Sequence, residues 1–230
     1  MYSFTLEERR LALRRLVFFH IVIIAASNYL VQFPFAIGDI HATWGALSFP
    51  FIFVATDLTV RIFGKSQARK IVFYSMLPAL LLSYAISVLF QDGHLTQLSH
   101  LFTFNLFVLR IVIASMLAYL FGQLLDIMVF NRLRTLKHWW IAPSASSILG
   151  CLADTFVFFS VAFFQSPDPY MASHWVPIAI SDYAFKLVIN LLFFLPIYGV
   201  VLRFVMNKLV AMKNDTANNA ALEYSKSSAE

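Results

Sequence analysis

Apolar residues run along this chain in stretches of about 20, the length that carries a helix across a bilayer. Six stretches stand out, at roughly 16–33, 44–63, 71–90, 101–125, 141–164 and 176–203. The first has no charged side chain between Arg15 and Asp39, and the third none between Lys70 and Asp92. The runs are too long for strands and lack period-two alternation. The pattern predicts an all-α polytopic membrane protein, a bundle of six transmembrane helices spanning 16–210. A basic N-terminal segment, 1–15, precedes it, and a polar tail, 211–230, with the composition of a disordered segment, follows. A basic stretch ahead of an apolar run and Ala25-Ala26-Ser27 could also be a signal peptide. The run continues unbroken to Phe35, which favours an uncleaved first span.

Charge orders these spans. Arg9, Arg10, Arg14 and Arg15 precede the first, and Arg61, Lys65, Arg69 and Lys70 lie between the second and third. Arg132, Arg134 and Lys137 separate the fourth and fifth, and Arg203, Lys208, Lys213 and Lys226 close the chain. The alternate loops near 34–43, 91–100 and 165–175 hold no Lys or Arg. Fifteen of the 17 basic residues thus fall on one side. By the positive-inside rule, both termini are expected in the cytoplasm.

Composition agrees. The chain is 60% hydrophobic and only 13% charged, with 25 Phe, and its mean hydropathy is +0.75. A soluble domain carries about 25% charged residues. That excludes a cytosolic enzyme, and the single Cys151 excludes a disulfide scaffold. The net charge of +5 reflects the topology signal, so no nucleic-acid partner is expected.

The ionisable residues inside the spans carry the functional information, because each costs about 2.5–3.5 kcal/mol at the bilayer centre. They are Asp57, Arg110, Asp154, Asp182 and Lys186. A rise of about 1.5 Å per residue puts the last four in one layer, from the midplane to the outer half. Asp182, Lys186 and Asn190 stand at i, i+4 and i+8, one stripe of a helix. The stripe is either a sealed ion pair or the lining of a substrate cavity. Charge counting favours the cavity, since three carboxylates face two cations. Asp57, four residues before Arg61, is also placed to pair with it, and Asp126 is expected at the interface beside Arg132 and Arg134.

Asn28, Gln32 and Asn105 add amides to the layer, and the second span enters through Trp44, Ser48, Phe49 and Pro50. Amides, carboxylates and aromatics at one depth suit a planar ligand rich in hydrogen-bonding groups. Trp44, Pro50 and Asp57 echo Trp140, Pro143 and Asp154 in reverse direction, a weak sign of an inverted repeat. The six His show no metal spacing, no P-loop is present, and neither a cofactor nor catalysis is expected. Pro78, Pro143 and Pro196 offer kink sites, which together with a polar cavity indicates passage.

Ordered segments across nearly the whole chain resemble the bacterial queuosine precursor transporter family. They include Ser27-Asn28-Tyr29-Leu30-Val31-Gln32, Thr43-Trp44-Gly45-Ala46, Phe49-Pro50-Phe51 and Ala55-Thr56-Asp57-Leu58-Thr59. Further on come Phe104-Asn105-Leu106-Phe107-Val108-Leu109-Arg110, Asp126 to Arg134, Ser166-Pro167-Asp168, Ser181-Asp182-Tyr183-Ala184-Phe185-Lys186 and Phe194-Leu195-Pro196. The resemblance implies import of 7-cyano-7-deazaguanine and 7-aminomethyl-7-deazaguanine for tRNA queuosine synthesis. A guanine-like edge presents two donors that a carboxylate accepts together, and its carbonyl needs a donor. On that basis Asp182 or Asp154 would take the donor edge, with Asn28, Gln32, Asn105 and Lys186 completing the pocket and Trp44 or Phe49 covering the ring.

The alternative is a substrate-binding subunit of an energy-coupling-factor importer. Such subunits carry Ala-xxx-Ala in the first helix, where this chain has Ala12 before Leu16 and Ala25 before Tyr29. A stand-alone carrier without an ATPase partner is therefore expected. Small-residue helix faces could support a homodimer.

Overall fold

The computed structural model describes residues 5–37, 40–48, 50–91, 93–95, 106–207 and 210–211. Among the described residues, six helices are long and apolar enough to cross a membrane, by length and composition. The first, α1 (Leu6–Leu30), starts ten residues before its apolar stretch. Its N-terminus is fixed by a capping box in which Thr5 accepts from the Glu8 amide and Glu8 accepts from the Thr5 amide, at 3.2 and 2.8 Å. Arg9, Arg10, Arg14 and Arg15 thus ride on the helix itself.

The second span combines α2 (Trp44–Ser48) and α3 (Pro50–Phe63), and α4 (Lys65–Leu89) follows directly. The turn between α3 and α4 rests on Gly64, whose φ of 89° is left-handed and open to glycine at little cost. Then come α5 (Leu106–Leu133), α6 (Ile141–Phe163) and α7 (Pro169–Ile189). The last span continues through one π-helical turn, Asn190–Phe194, into α8 (195–207). Pro196 explains the wide turn. It has no N–H, and its ring would strike the carbonyl of Leu192 in a regular α-helix, a conflict that π geometry relieves.

Among the described residues, two short antiparallel hairpins, absent from the all-α expectation, lie between spans. The strand β1 (Pro34–Ile37) pairs with β2 (Ile40–Thr43), and β3 (Phe90–Gln91) pairs with β4 (His94–Leu95). The second hairpin docks on the end of α1. Tyr29 donates its hydroxyl to the Gly93 carbonyl at 3.2 Å, and the Gly93 amide donates to Gln32 Oε1 at 3.1 Å.

The most extensive helix contact is between α5 and α6. Gly122 and Gly150 bring the two backbones close. A Cβ on Gly122 would stand 3.0 Å from Asp154 Cβ and 3.2 Å from the Gly150 carbonyl oxygen. Small residues of this kind permit close approach where lipid gives helices no hydrophobic drive to associate. α4 packs between α1 and α5, α7 lies on α6, and α3 sits against both α4 and α5. The core between them holds Ile52, Val60, Val72, Ile127, Phe130 and Tyr198, while Phe18, Leu77, Leu81, Phe121 and Phe204 are exposed. Large apolar side chains on the outside fit a lipid-facing surface.

Candidate functional site

Polar side chains inside the bundle form two layers. In the middle layer, α6 contributes Asp154 and Thr155 and α7 contributes Asp182 and Lys186. Asp154 lies about 20 Å along α6 from Ile141. Lys186 Nζ is 2.7 Å from Asp182 Oδ2 and 3.5 Å from Asp154 Oδ2. It also reaches Thr155 Oγ1 at 3.5 Å, and that hydroxyl donates to Asp182 Oδ2 at 3.4 Å. One cation therefore holds two carboxylates, and the cluster keeps one surplus negative charge. The side chain of Asp154 is 8% exposed and that of Asp182 is 27% exposed, so Asp182 is the open end of the cluster.

Asn190 extends the stripe one turn further, as the spacing from Asp182 and Lys186 predicts. Its amide donates to the Lys186 carbonyl at 3.0 Å and to Cys151 Sγ at 3.2 Å. There the stripe enters a narrow crevice lined by Phe53, Asp57, Ser147, Asn190, Phe194 and Tyr198, among others. The crevice has room for about one water. Asn190 and Phe194 belong to the π turn, so the irregular stretch of the last span forms one wall. π turns inside helices recur at functional sites.

The second layer lies nearer the end of the bundle that carries Lys65, Arg132 and Lys137. Asp57 on α3 is buried there, and Ser146 Oγ donates to it at 3.3 Å from each oxygen. Asp57 forms no ion pair with Arg61. The Arg61 Nε donates instead to the Tyr198 hydroxyl at 2.8 Å, and its guanidinium lies 5.3 Å from the centre of the Phe130 ring. Asp126 is a correction to the sequence reading. It is not interfacial beside Arg132 and Arg134 but fully buried, facing Asp57. The missed signal was the face of α5: Tyr119, Gln123, Asp126 and Phe130 follow at helical spacing, and all four are buried. Gln123 accepts from Thr56 Oγ1 at 2.5 Å. Tyr119 joins His20 on α1 to Ser75 on α4, at 3.0 and 2.8 Å, a buried polar link the sequence reading passed over.

The other candidates lie apart from the Lys186 cluster. Arg110 closes the C-terminus of α6, donating to the carbonyls of Val161 at 2.8 Å, Gln165 at 3.4 Å and Phe164. Those carbonyls have no helical donor, and a guanidinium there also opposes the negative end of the helix dipole. Asn28 joins α1 to α4, donating to Ser83 Oγ and the Ile24 carbonyl, both at 2.8 Å. Gln32 is engaged by the β3–β4 turn. Trp44 is exposed and packs 5.3 Å from the ring of Phe35, which in turn lies 6.1 Å from Phe185, the neighbour of Lys186. Phe49 and Asn105 lie outside the described residues. The two halves of the suspected repeat differ in their surroundings, since Asp57 faces a carboxyl and Asp154 a lysine. Among the described residues, no group of three or more His, Cys, Asp or Glu could hold a metal ion.

No solved structure matches the chain. Residues 43–201 match the family described as "Putative vitamin uptake transporter". The chain is 54% identical to the "Queuosine precursor transporter" of Escherichia coli strain K12 over 209 residues, 91% of this chain and 95% of that protein. It is 56% identical over 215 residues to the "Probable queuosine precursor transporter" of Haemophilus influenzae, covering 88% of this chain and 92% of that one. A Bacillus subtilis protein of the same name is 32% identical over 161 residues, 66% of this chain and 68% of its own length. This multi-pass membrane protein belongs to the queuosine precursor transporter family.

Proposed function

We propose that the chain imports queuosine precursors, 7-cyano-7-deazaguanine and 7-aminomethyl-7-deazaguanine, across the bacterial inner membrane for tRNA queuosine synthesis. Both termini are cytoplasmic in this reading, and no ATPase partner is needed. The observation that carries it is the Asp154–Lys186–Asp182 cluster, continued by Asn190 into the crevice. Two carboxylates on one lysine leave acceptor capacity free. Asp182, the more exposed, accepts N1–H and the exocyclic amine of the deazaguanine edge together, and Lys186 donates to the ring carbonyl. The surplus negative charge also suits the ammonium of the aminomethyl precursor. Trp44, which packs on Phe35 beside Phe185, offers a ring face near this end of the last span for stacking.

A crevice about one water wide does not admit a nucleobase, so passage through it needs the crevice to open. Opening requires the last span to draw away from α3 and α6. The π turn, with its loosened hydrogen-bond ladder, is where that span bends. The access gate then lies beside the site, as alternating access demands.

The reading is tested by uptake in a cell that depends on external precursor. Asp182→Asn and Asp154→Asn keep the side-chain volume but put an amide where an acceptor oxygen is needed. Uptake is expected to fall at least tenfold in Asp182→Asn, and in Asp154→Asn through loss of the lysine's second partner. Wild-type uptake by both variants at wild-type expression would overturn the assignment.

A further inference from the structure

Import as described leaves the second polar layer unused. Asp57 on α3 and Asp126 on α5 are 2% and 0% exposed, and both meet the same stretch of α6, Asp57 at Ser146 and Asp126 at Gly150 one turn on, where a Cβ would stand 3.2 Å from Asp126 Cβ. Ser146 donates to Asp57 and lies beside Asp126 as well, but among the described residues neither oxygen of Asp126 has a hydrogen bond of ordinary geometry. What Asp126 faces is the other carboxyl.

The groups around the pair do not neutralise it. Among the described residues, no Lys, Arg or His nitrogen comes within 4.0 Å of either carboxylate. Arg61, one turn below Asp57 on α3, is nearest in charge, but its guanidinium is spent on the Tyr198 hydroxyl and the rings of Phe130 and Tyr198. Arg134 on α5 donates to the carbonyls of Val60 and Arg61, at 2.6 and 3.4 Å. From α6 the titratable neighbour is Cys151, and from α8 it is Tyr198. On the α4 side, Ile127 and Phe130 pack with Ala68 and Val72, which are apolar.

Two carboxylates this close in a low-dielectric interior repel unless something positive stands between them. A metal ion is poorly served there. Sodium, magnesium and calcium want about six oxygens, and the site offers two carboxyls and one hydroxyl. A proton needs only the two facing oxygens. One wall of the water-wide crevice is Asp57 itself, so the pair is connected to the Asn190 and Lys186 stripe while Asp126 stands behind it.

We propose that Asp57 and Asp126 hold one transferable proton between them, and that its movement from the outside to the cytoplasm drives precursor import. This inference rests on the import reading above. The proton arrives from water, occupies the gap between the carboxyl oxygens, and leaves to water on the cytoplasmic side. No other bond is made or broken. When it leaves, the two like charges repel, which favours uptake of the next proton.

Purified protein in liposomes separates the two readings. Exchange of labelled 7-cyano-7-deazaguanine across the membrane without any gradient tests the carrier. Accumulation under an imposed pH difference of one unit, outside acidic and with membrane potential clamped, tests the coupling. One proton per substrate permits about tenfold accumulation, because one pH unit is about 1.36 kcal/mol. Wild type is expected to accumulate toward that limit, to alkalinise a weakly buffered exterior on substrate addition, and to ignore a sodium gradient. Asp126→Asn does not line the crevice, and its amide can donate permanently to Asp57. It is expected to exchange substrate but only to equilibrate it, with a melting temperature near that of wild type. Wild-type exchange with no accumulation and no alkalinisation overturns the coupling and leaves the carrier standing. Sodium-driven accumulation overturns it too, as does undiminished pH-driven accumulation by Asp126→Asn. Absence of exchange in wild type overturns the carrier reading itself.

Discussion

Lys186 is the residue on which the middle layer depends. Its two ion pairs compensate carboxylates that lie in or near the membrane interior, where a bare charge is costly. Lys186→Met keeps the aliphatic stem and removes the charge, leaving Asp154 and Asp182 to repel across α6 and α7. Breaking a buried pair from one side costs about 3–5 kcal/mol. Lys186→Met should therefore melt well below wild type and take up no precursor, while Lys186→Arg should recover the melting temperature more than the uptake. Thermal melting beside uptake measures both. At this scale the sequence was informative where residues share a helix. The 2.7 Å contact of Asp182 with Lys186 follows from i, i+4 spacing alone. It was silent where partners come from different helices. Arg110 looked like a member of the same layer by depth, yet its donors meet the end of α6.

Helix packing decides which layer each side chain joins. The close crossing of α5 and α6 sets Asp126 and Asp154 on the two sides of one contact, each against the glycine of the other helix. Gly122→Val would drive its side chain into Asp154 Cβ and the Gly150 carbonyl, backbone that cannot swing away. Overpacking of this kind costs about 1–3 kcal/mol. The variant should be less stable by that amount and lose uptake out of proportion, since both polar layers shift. At Gly150→Ala the added methyl would stand 2.8 Å from the edge of the buried Phe53 ring, which must shift, and 3.3 Å from the Gly122 carbonyl oxygen. A smaller loss of melting temperature is expected there. The last span shows how an element departs from its hydropathy pattern. The apolar run 176–203 reads as one helix, while the helix extends over Pro169–Asn207 and is interrupted at Asn190–Phe194. Pro196 signals a kink in sequence but not the π turn, which depends on how the local ladder relaxes.

For the molecule as a whole, orientation is the consequence of charge placement. Lys65, Arg69, Arg132, Arg134 and Lys137 lie at one end of the bundle, and the two hairpins and the turn at Gln165–Asp168 lie at the other. If the basic end is cytoplasmic, a cysteine introduced by Ser66→Cys should resist an impermeant thiol reagent in intact cells. One introduced by His94→Cys should react. Both native positions are exposed, and Cys151 is buried, so the background is low. Labelling of Ser66→Cys alone would invert the topology and, with it, the direction assigned to the proton.

Sequence alone determined that this chain fills a membrane with six helices, because hydropathy adds up locally and needs no knowledge of neighbours. It also set the family, through many short segments in order, and the polar stripe of α7, through helical period. The tertiary structure decided which charges meet. Depth along a helix follows from counting residues, but the rotation of each helix and the identity of its neighbour do not. Hence Asp126, placed by counting near the basic loop, turned out to face Asp57 in the interior, and Arg61 turned away from Asp57 toward Tyr198. The second carboxylate on Lys186, Asp154, and the meeting of Asp57 with Asp126 are both contacts between helices.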